Sequence, residues 1–513
     1  MRRVTSFIRL LTISRISILG ASLVTAGFLT EILLFAAEAL AYHGNPYIGI
    51  LNFMVLPQVI VLGLILIPVG ILFRLRRLRH RISWRTAERL VHFGVLRHPG
   101  AVFQTVALLT VINVLAFALL SYQGYAFMDS TTFCGRVCHS VMHPEYTAYQ
   151  RSPHAQVECV QCHIGPGAKW FVKSKISGAW QVIAVMFNLY DRPIPTPISN
   201  LRPAREVCES CHRPELFHGN MIRVIKHFLP DENNTETYTI LNMRVGGGGD
   251  ALHEASGIHW HVAANHELRY YATDRRREHI VWIEDVQPNG TKRVWTHPGA
   301  QITEKDIDPS KLRIMDCVDC HNRPTHIYQP PVKAIEDALA AGQLDVKLPW
   351  IRKVAQEVIT QPYDTQQAAR EGIARQTRQI YQQQYPQVWK ADQPQIEKAI
   401  VTLQKIHAAN VFPSMHITWN TYPSQIGHPA HGVARCFRCH DGLFRADHGT
   451  GKPIPLSCNT CHYILAAGSR DPSVLWLLQR DPRLYGQVIQ PPSMPPAAAQ
   501  IPAAVPATPE PVR

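Results

Sequence analysis

The chain of 513 residues is 46% hydrophobic and only 18% charged, a charged share below the roughly 25% of soluble globular chains. A wholly soluble enzyme is excluded as the first reading, and the length admits about three domains. The formal charge of +14 raises the question of nucleic acid, but much of the basic excess flanks apolar segments, the pattern of a membrane protein rather than of a nucleic-acid face.

Three apolar stretches open the chain, approximately Ile16 to Ala37, Ile48 to Phe73 and Val102 to Leu120. Each reaches the about 20 residues that a helix needs to cross a bilayer. Arg2, Arg3, Arg9 and Arg15 precede the first; Arg74, Arg76, Arg77, Arg79, Arg81, Arg85, Arg89 and Arg97 separate the second from the third. Both basic segments are expected in the cytoplasm. Ala39 to Tyr47 has neither Lys nor Arg and is expected outside, as is everything beyond Tyr125. A signal peptide cleaved at Ala39-Leu40-Ala41 is the alternative for the first stretch and gives the same outside location. Glu31, inside the first span, is a functional candidate by default, with a place at the outer interface beside Glu38 as the plainer reading. Trp84 to His98 reads either as a segment on the inner membrane face or as a polar loop.

Downstream, Thr235 to Trp295 alternates β-branched and aromatic residues with polar ones and predicts short antiparallel strands with a hairpin at Asn289-Gly290. Gly246 to Gly249 lacks the Gly-Lys-Ser/Thr of a phosphate loop and reads as a turn near a cofactor. Pro331 to Ala409 has helical spacing, and Gln490 to Arg513 is a Pro/Ala-rich extended tail. The predicted fold is a membrane α-helical anchor of three spans (1–125) and a mainly helical or irregular ectodomain with a small antiparallel β region. The ectodomain divides into 126–230, 231–330, 331–415, 416–475 and 476–513.

All 12 cysteines fall in short pairs whose second member is followed by His. In C-x-x-C-H both thiols form thioethers to one porphyrin and the adjacent His reaches its iron, so the spacing is dictated by a single ring. Cys159/Cys162/His163, Cys208/Cys211/His212, Cys317/Cys320/His321, Cys436/Cys439/His440 and Cys458/Cys461/His462 have this form; Cys134/Cys138/His139 has one extra residue. A zinc site or a redox dithiol would compete for one isolated pair, but not for the whole series. The chain is therefore expected to bind six haem c, whose propionates offset the basic charge and further exclude nucleic acid. With a second His an iron is closed and suited to electron transfer; an open position binds substrate. His154, His218, His259, His261, His326, His428, His431 and His448 are the candidates for the second ligand, each with a surface or hydrogen-bonding role as its alternative. No C-x-x-C-K occurs, so a lysine-ligated catalytic haem has no support.

Phe133-Cys134, His139-Ser-Val-Met142, Tyr146, Ser152-Pro-His154, Cys159-Val-Gln-Cys162-His163 and Lys175-Ile-Ser-Gly together resemble the NapC/NirT/NrfH family of membrane-anchored, quinol-oxidising multihaem cytochromes, over about Phe103 to His212. Cys317 to Tyr328 and Gly427 to Cys461 resemble the larger inner-membrane cytochromes of metal-reducing bacteria. The resemblance implies a quinol site beside the first haem. It points to Met142 as an iron ligand there, with His139 and His143 also open, and to Lys175 in the quinol pocket. It matches His154 to a His that ligates a different haem. Packing against porphyrin is the alternative for Met142, and pairing with a propionate or lipid phosphate for Lys175.

The expected function is a quinol dehydrogenase of the bacterial inner membrane, passing electrons from the quinol pool to a periplasmic cytochrome or reductase. Its N-terminus would be cytoplasmic and its haems periplasmic. The alternatives are a relay subunit of a larger membrane complex and a terminal periplasmic reductase.

Overall fold

A computed structural model describes residues 14–40, 55–79, 119, 122–137, 139–165, 168–198, 201–217, 219–247, 255–300, 302–430, 432–446 and 451–480. The third apolar stretch apart from 119, Trp84 to His98, Cys138, His218, Gly248, Gly249, His431, His448, the C-terminal tail and the side chains of His139 and Lys175 lie outside the described set. The chain forms two compact units, Met1–His143 and Pro144–Arg513.

In the first unit, α1 (Arg15–Leu40) and α2 (Leu56–Arg79) pack antiparallel. Glycines form the seam: a Cβ on Gly20 would sit 2.6 Å from the Gly63 carbonyl oxygen, and one on Gly63 2.7 Å from that of Gly20. Ser17 Oγ donates to Ile67 O at 3.2 Å. Leu19, Phe28, Leu29, Leu62 and Ile65 point outward and are exposed. Small residues between helices and large apolar ones outside is the arrangement of helices packed in lipid, where close backbone approach replaces the hydrophobic effect as the source of association. Among the described residues no helix is long and apolar enough to cross a membrane. Residues 122–129 are helical, and after a bend at Ser130 the chain enters a π-helical turn, Phe133–Val137.

The second unit begins within α3 (His139–Tyr149) and continues through α4 (Cys159–His163), α5 (Ala168–Met186) and α6 (Ala204–Cys208). Two antiparallel sheets follow. The first has the order β1 (Met221–Phe228), β2 (Glu236–Met243), β7 (His462–Ser469). The second has the order β5 (Lys292–Thr296), β4 (Ile280–Val286), β3 (Glu267–Ala272), β6 (Arg313–Ile314). In β4, Trp282 and Ile283 are nearly fully buried, which explains an apolar run in place of simple alternation. β1 precedes the predicted strand region and β7 starts at His462 of the last cysteine motif, so the first sheet joins segments that the sequence reading separates at 230/231 and 415/416. Neither strand was legible locally, since β1 is mostly half-buried and β7 carries exposed apolar residues on both faces.

After α7 (Cys317–Cys320), the helical spacing of Pro331 to Ala409 becomes α8 (Pro331–Ala340), α9 (Ile351–Ile359), α10 (Gln366–Gln384) and α11 (Pro386–Ala408). Ile351, Val354, Ala355, Val358 and Ile359 form the buried stripe of α9, against Ile373, Tyr381, Ile396 and Leu403 from its neighbours. Pro331 and Pro386 occupy first-turn positions, where the missing N–H costs nothing, and Thr365 Oγ caps α10 by accepting from Ala368 N at 3.0 Å. A last helix, α12 (Ser473–Arg480), follows β7.

The seam between α1 and α2 predicts that Gly63→Leu destabilises the detergent-solubilised protein by at least the about 1–3 kcal/mol of overpacking. Leu62→Ala, on the outer face, should change the thermal midpoint little; equal effects would contradict the seam.

Candidate haem sites

Each described motif of regular spacing is a single tight turn, which brings its two cysteines to one side with the His directly after. The His212 N–H donates to Cys208 O at 2.7 Å, that of His321 to Cys317 O at 2.8 Å and that of His440 to Cys436 O at 3.2 Å. In the fourth motif a capping box starts the turn: Val318 N donates to Asp316 Oδ1 at 2.9 Å, while Asp316 N donates to Asp319 Oδ2 at 2.9 Å. The first motif departs from this form, and its extra residue falls in the π-helical turn, which absorbs one inserted residue in a helical path. Cys134 N donates to Ser130 O at 3.2 Å there.

The histidines meet in opposed pairs. Ring centroids are 6.2 Å apart for His163 and His326, 6.0 Å for His154 and His212, 5.7 Å for His261 and His440, and 5.8 Å for His428 and His462. His321 has His259 within electrostatic reach. Two imidazoles bonded to one metal at about 2 Å on either side have ring centres about 6 Å apart, so these pairs fit an iron between them. Among the described residues no group of three or more His, Cys, Asp or Glu gathers as a metal cage. The donors come in twos, as needed by an iron already held in a porphyrin plane.

The nitrogen left for a metal is also defined. Nδ1 of His259 lies 3.1 Å from Val245 O, that of His261 2.7 Å from Ile258 O, that of His326 3.0 Å from Glu145 O and that of His440 2.8 Å from Pro455 O. A carbonyl oxygen only accepts, so Nδ1 carries the proton and Nε2 keeps its lone pair for iron. Burial favours the neutral ring that ligation requires at five of the histidines: it pushes His261 down to about 4 and also lowers His163, His259, His321 and His326. Nδ1 of His154 and of His462 is buried with no hydrogen-bond partner among the described residues.

The motifs neighbour one another in chain order. Cys162 of the second lies within electrostatic reach of Cys211 of the third, and Cys208 of the third lies beside Cys317 of the fourth. Cys320 of the fourth and Cys461 of the sixth are both within electrostatic reach of Cys436 of the fifth. Polar side chains fix these approaches. Asp319, 3% exposed, accepts from Tyr270 Oη at 2.7 Å, Arg277 Nη1 at 3.1 Å and Arg313 Nε at 2.9 Å. Arg438, between the cysteines of the fifth motif, donates to Asp319 O at 2.7 Å and Arg277 O at 2.9 Å. Arg244 ties in the sixth motif, donating through Nη1 to Asn459 O at 2.9 Å and through its backbone N to Cys461 O at 2.8 Å. The segment that follows Arg244 folds back through Gly246, whose φ is +59° and where a Cβ would fall 1.8 Å from Ser256 O. The return brings His259 and His261 to the fourth and fifth motifs.

Of the other sequence candidates, Met142 is half-buried on α3, His143 is exposed, and Lys175 belongs to α5. Asp319, Arg438, Glu145 and Arg323 were not singled out from the sequence. An acidic residue inside C-V-D-C-H is a visible oddity, but its partners come from β3, β6 and the loop before β4.

Two experiments follow. His259→Ala should convert one low-spin haem per chain to a carbon monoxide-binding form, seen by optical difference spectroscopy; all haems staying closed would sink that pairing. Asp319→Ala leaves two guanidinium groups and a buried phenol without their shared acceptor, and should cost about 3–5 kcal/mol in denaturant unfolding followed through haem absorption.

Residues 99–194 match the N-terminal region of the NapC/NirT cytochrome c family. Over 454 residues the chain is 39% identical to the cytochrome c-type protein ImcH of Geobacter sulfurreducens, an alignment covering 88% of this chain and 87% of that relative. No solved structure matches it. Covalently bound haem c follows from this kinship and agrees with the opposed histidines beside paired thiols: the chain belongs to the NapC/NirT-related family of multihaem c-type cytochromes.

Proposed function

We propose that this cytochrome is a membrane-anchored quinol dehydrogenase that passes electrons along six haems to a periplasmic acceptor. The observation that carries the reading is the run of neighbouring motifs, second to sixth, four of them with a paired histidine ring and the fourth with His259 within electrostatic reach. Bound haem supplies one-electron transfer. Five haem irons would be held by His163 with His326, His212 with His154, His321 with His259, His440 with His261, and His462 with His428, leaving them no open position. Closure excludes small-molecule ligands from these irons and favours a conductor over a terminal reductase.

The first motif is the entry point in this proposal because it directly follows the apolar N-terminal part of the chain. A quinol gives up two electrons and two protons there. Lys175 hydrogen-bonds a quinol oxygen, and the first iron takes its ligands from among His139, Met142 and His143. Three spans anchor the protein in the inner membrane, with the N-terminus in the cytoplasm and the haems in the periplasm. The glycine seam of α1 and α2 supports the anchor. So does the face of α5 formed by Ile176, Trp180 and Ile183, which continues to Phe187, all exposed and at helical spacing. α5 has no acidic residue, and apolar side chains beside Lys173 and Trp170 suit the boundary between acyl chains and headgroups.

The test is anaerobic reduction of the full-length protein, restored to lipid, by a reduced menaquinone analogue. Lys175→Ala should slow it by about tenfold or more, the loss of one charged hydrogen bond, while dithionite reduces both proteins alike. If dithionite reduces the wild type and quinol does not, the chain is a relay subunit that needs a separate quinol-binding partner.

A further inference from the structure

The ligand histidines differ in what stands behind them. Nδ1 of His259, His261 and His440 faces a neutral backbone carbonyl. His326 Nδ1 lies 3.0 Å from Glu145 O and also 3.3 Å from the Glu145 carboxylate oxygen Oε2. That carboxylate is itself held, because Arg323 Nη2 donates to both its oxygens, at 2.9 and 2.7 Å. Arg323 Nε donates to His326 O at 2.7 Å, so one guanidinium grips the backbone of the ligand and the carboxylate behind its ring. The guanidinium lies over Tyr422 at 4.2 Å and Tyr328 at 5.1 Å, and both tyrosines are nearly buried. Arg323 and Glu145 have side chains only 12% and 16% exposed, so solvent screens this pair weakly.

We infer that Glu145 and Arg323 are opposed positioning residues that set the reduction equilibrium of the haem iron held between His163 and His326. The inference rests on the ligation proposed above. A carboxylate behind an imidazole N–H draws the proton toward itself and makes the ring a stronger donor, which favours the oxidised iron. Arg323 withdraws that influence by sharing the carboxylate, and its own charge favours the reduced iron. Glu145 lies on α3, which begins at His139 of the first motif. The helix leaving the first haem therefore supplies the group that tunes the second, whereas the other Nδ1 partners named here are main-chain carbonyls and cannot be changed by a side-chain substitution.

The experiment is potentiometric titration of the full-length holoprotein in detergent, with the haems resolved by low-temperature electron paramagnetic resonance. Glu145→Gln keeps the shape and removes the charge; it should shift the equilibrium of one haem toward the reduced state by about tenfold, or about 59 mV for a one-electron couple. Arg323→Met should shift the same haem the opposite way, and Glu145→Asp should restore most of the wild-type value. A merely structural tie predicts the same sign for both variants, so shifts of equal sign, or none, overturn the inference. His326→Ala tests the underlying ligation separately: it must open one iron to carbon monoxide, and if all haems stay closed the ligation itself is wrong.

Discussion

A histidine pair that holds iron must keep two rings about 6 Å apart on opposite sides of one plane, and here the two rings of a pair usually come from distant parts of the chain. His163 meets His326, His261 meets His440 and His154 meets His212. No local element can satisfy that constraint. The fold supplies long-range ties at each position: Arg323 to Glu145, Arg438 to Asp319, and Arg244 to the turn of the sixth motif. These ties involve guanidinium groups, which can grip a carboxylate or several carbonyls in a fixed plane. The apolar core of α8 to α11 contains no motif cysteine, whereas the smaller core of Leu268, Tyr270, Ile280, Ile283, Met315 and Phe444 packs against Cys439 of the fifth motif.

Covalent attachment and ligation divide the work. The thioether cysteines lie in short turns whose geometry follows from a few neighbouring residues, and those turns are complete without any distant partner. The second ligands depend on tertiary structure. Gly247 and Ser256 exchange backbone hydrogen bonds at 3.1 Å, and the short turn after Ser256, Ile258–Val262, brings His259 and His261, two residues apart, to different motifs. One short turn thereby places a histidine beside each of two motifs.

Covalently bound haem c was legible in the sequence because its chemistry writes a local signature. Cysteine spacing and the adjacent His need only one turn, and His154, His259, His261, His326 and His428 stood out by their closeness to a motif or their local setting. Which motif each would face was not legible, since facing is a tertiary property. His326 lies five residues from His321 but meets His163. The helical run from Pro331 was legible from its spacing, whereas β1 and β7 were not, because half-buried strands lack clean alternation. Asp319, Glu145 and Arg323 were invisible for the same reason as the pairings: a charged residue reads as solvated until its partner is known.

The pairing of β2 with β7 joins Thr239 to Gly468 across 229 residues. A chain emerging N-terminus first presents β1 and β2 as a two-stranded ribbon long before the third strand exists, and such ribbons are marginal in water. Until β7 arrives, β2 has an unpaired edge, the kind of surface on which strands from other chains add. High contact order of this sort slows folding. Haem attachment to the earlier motifs can therefore precede completion of the sheet, and a chain interrupted before His462 would carry its cofactors on an unfinished, aggregation-prone scaffold.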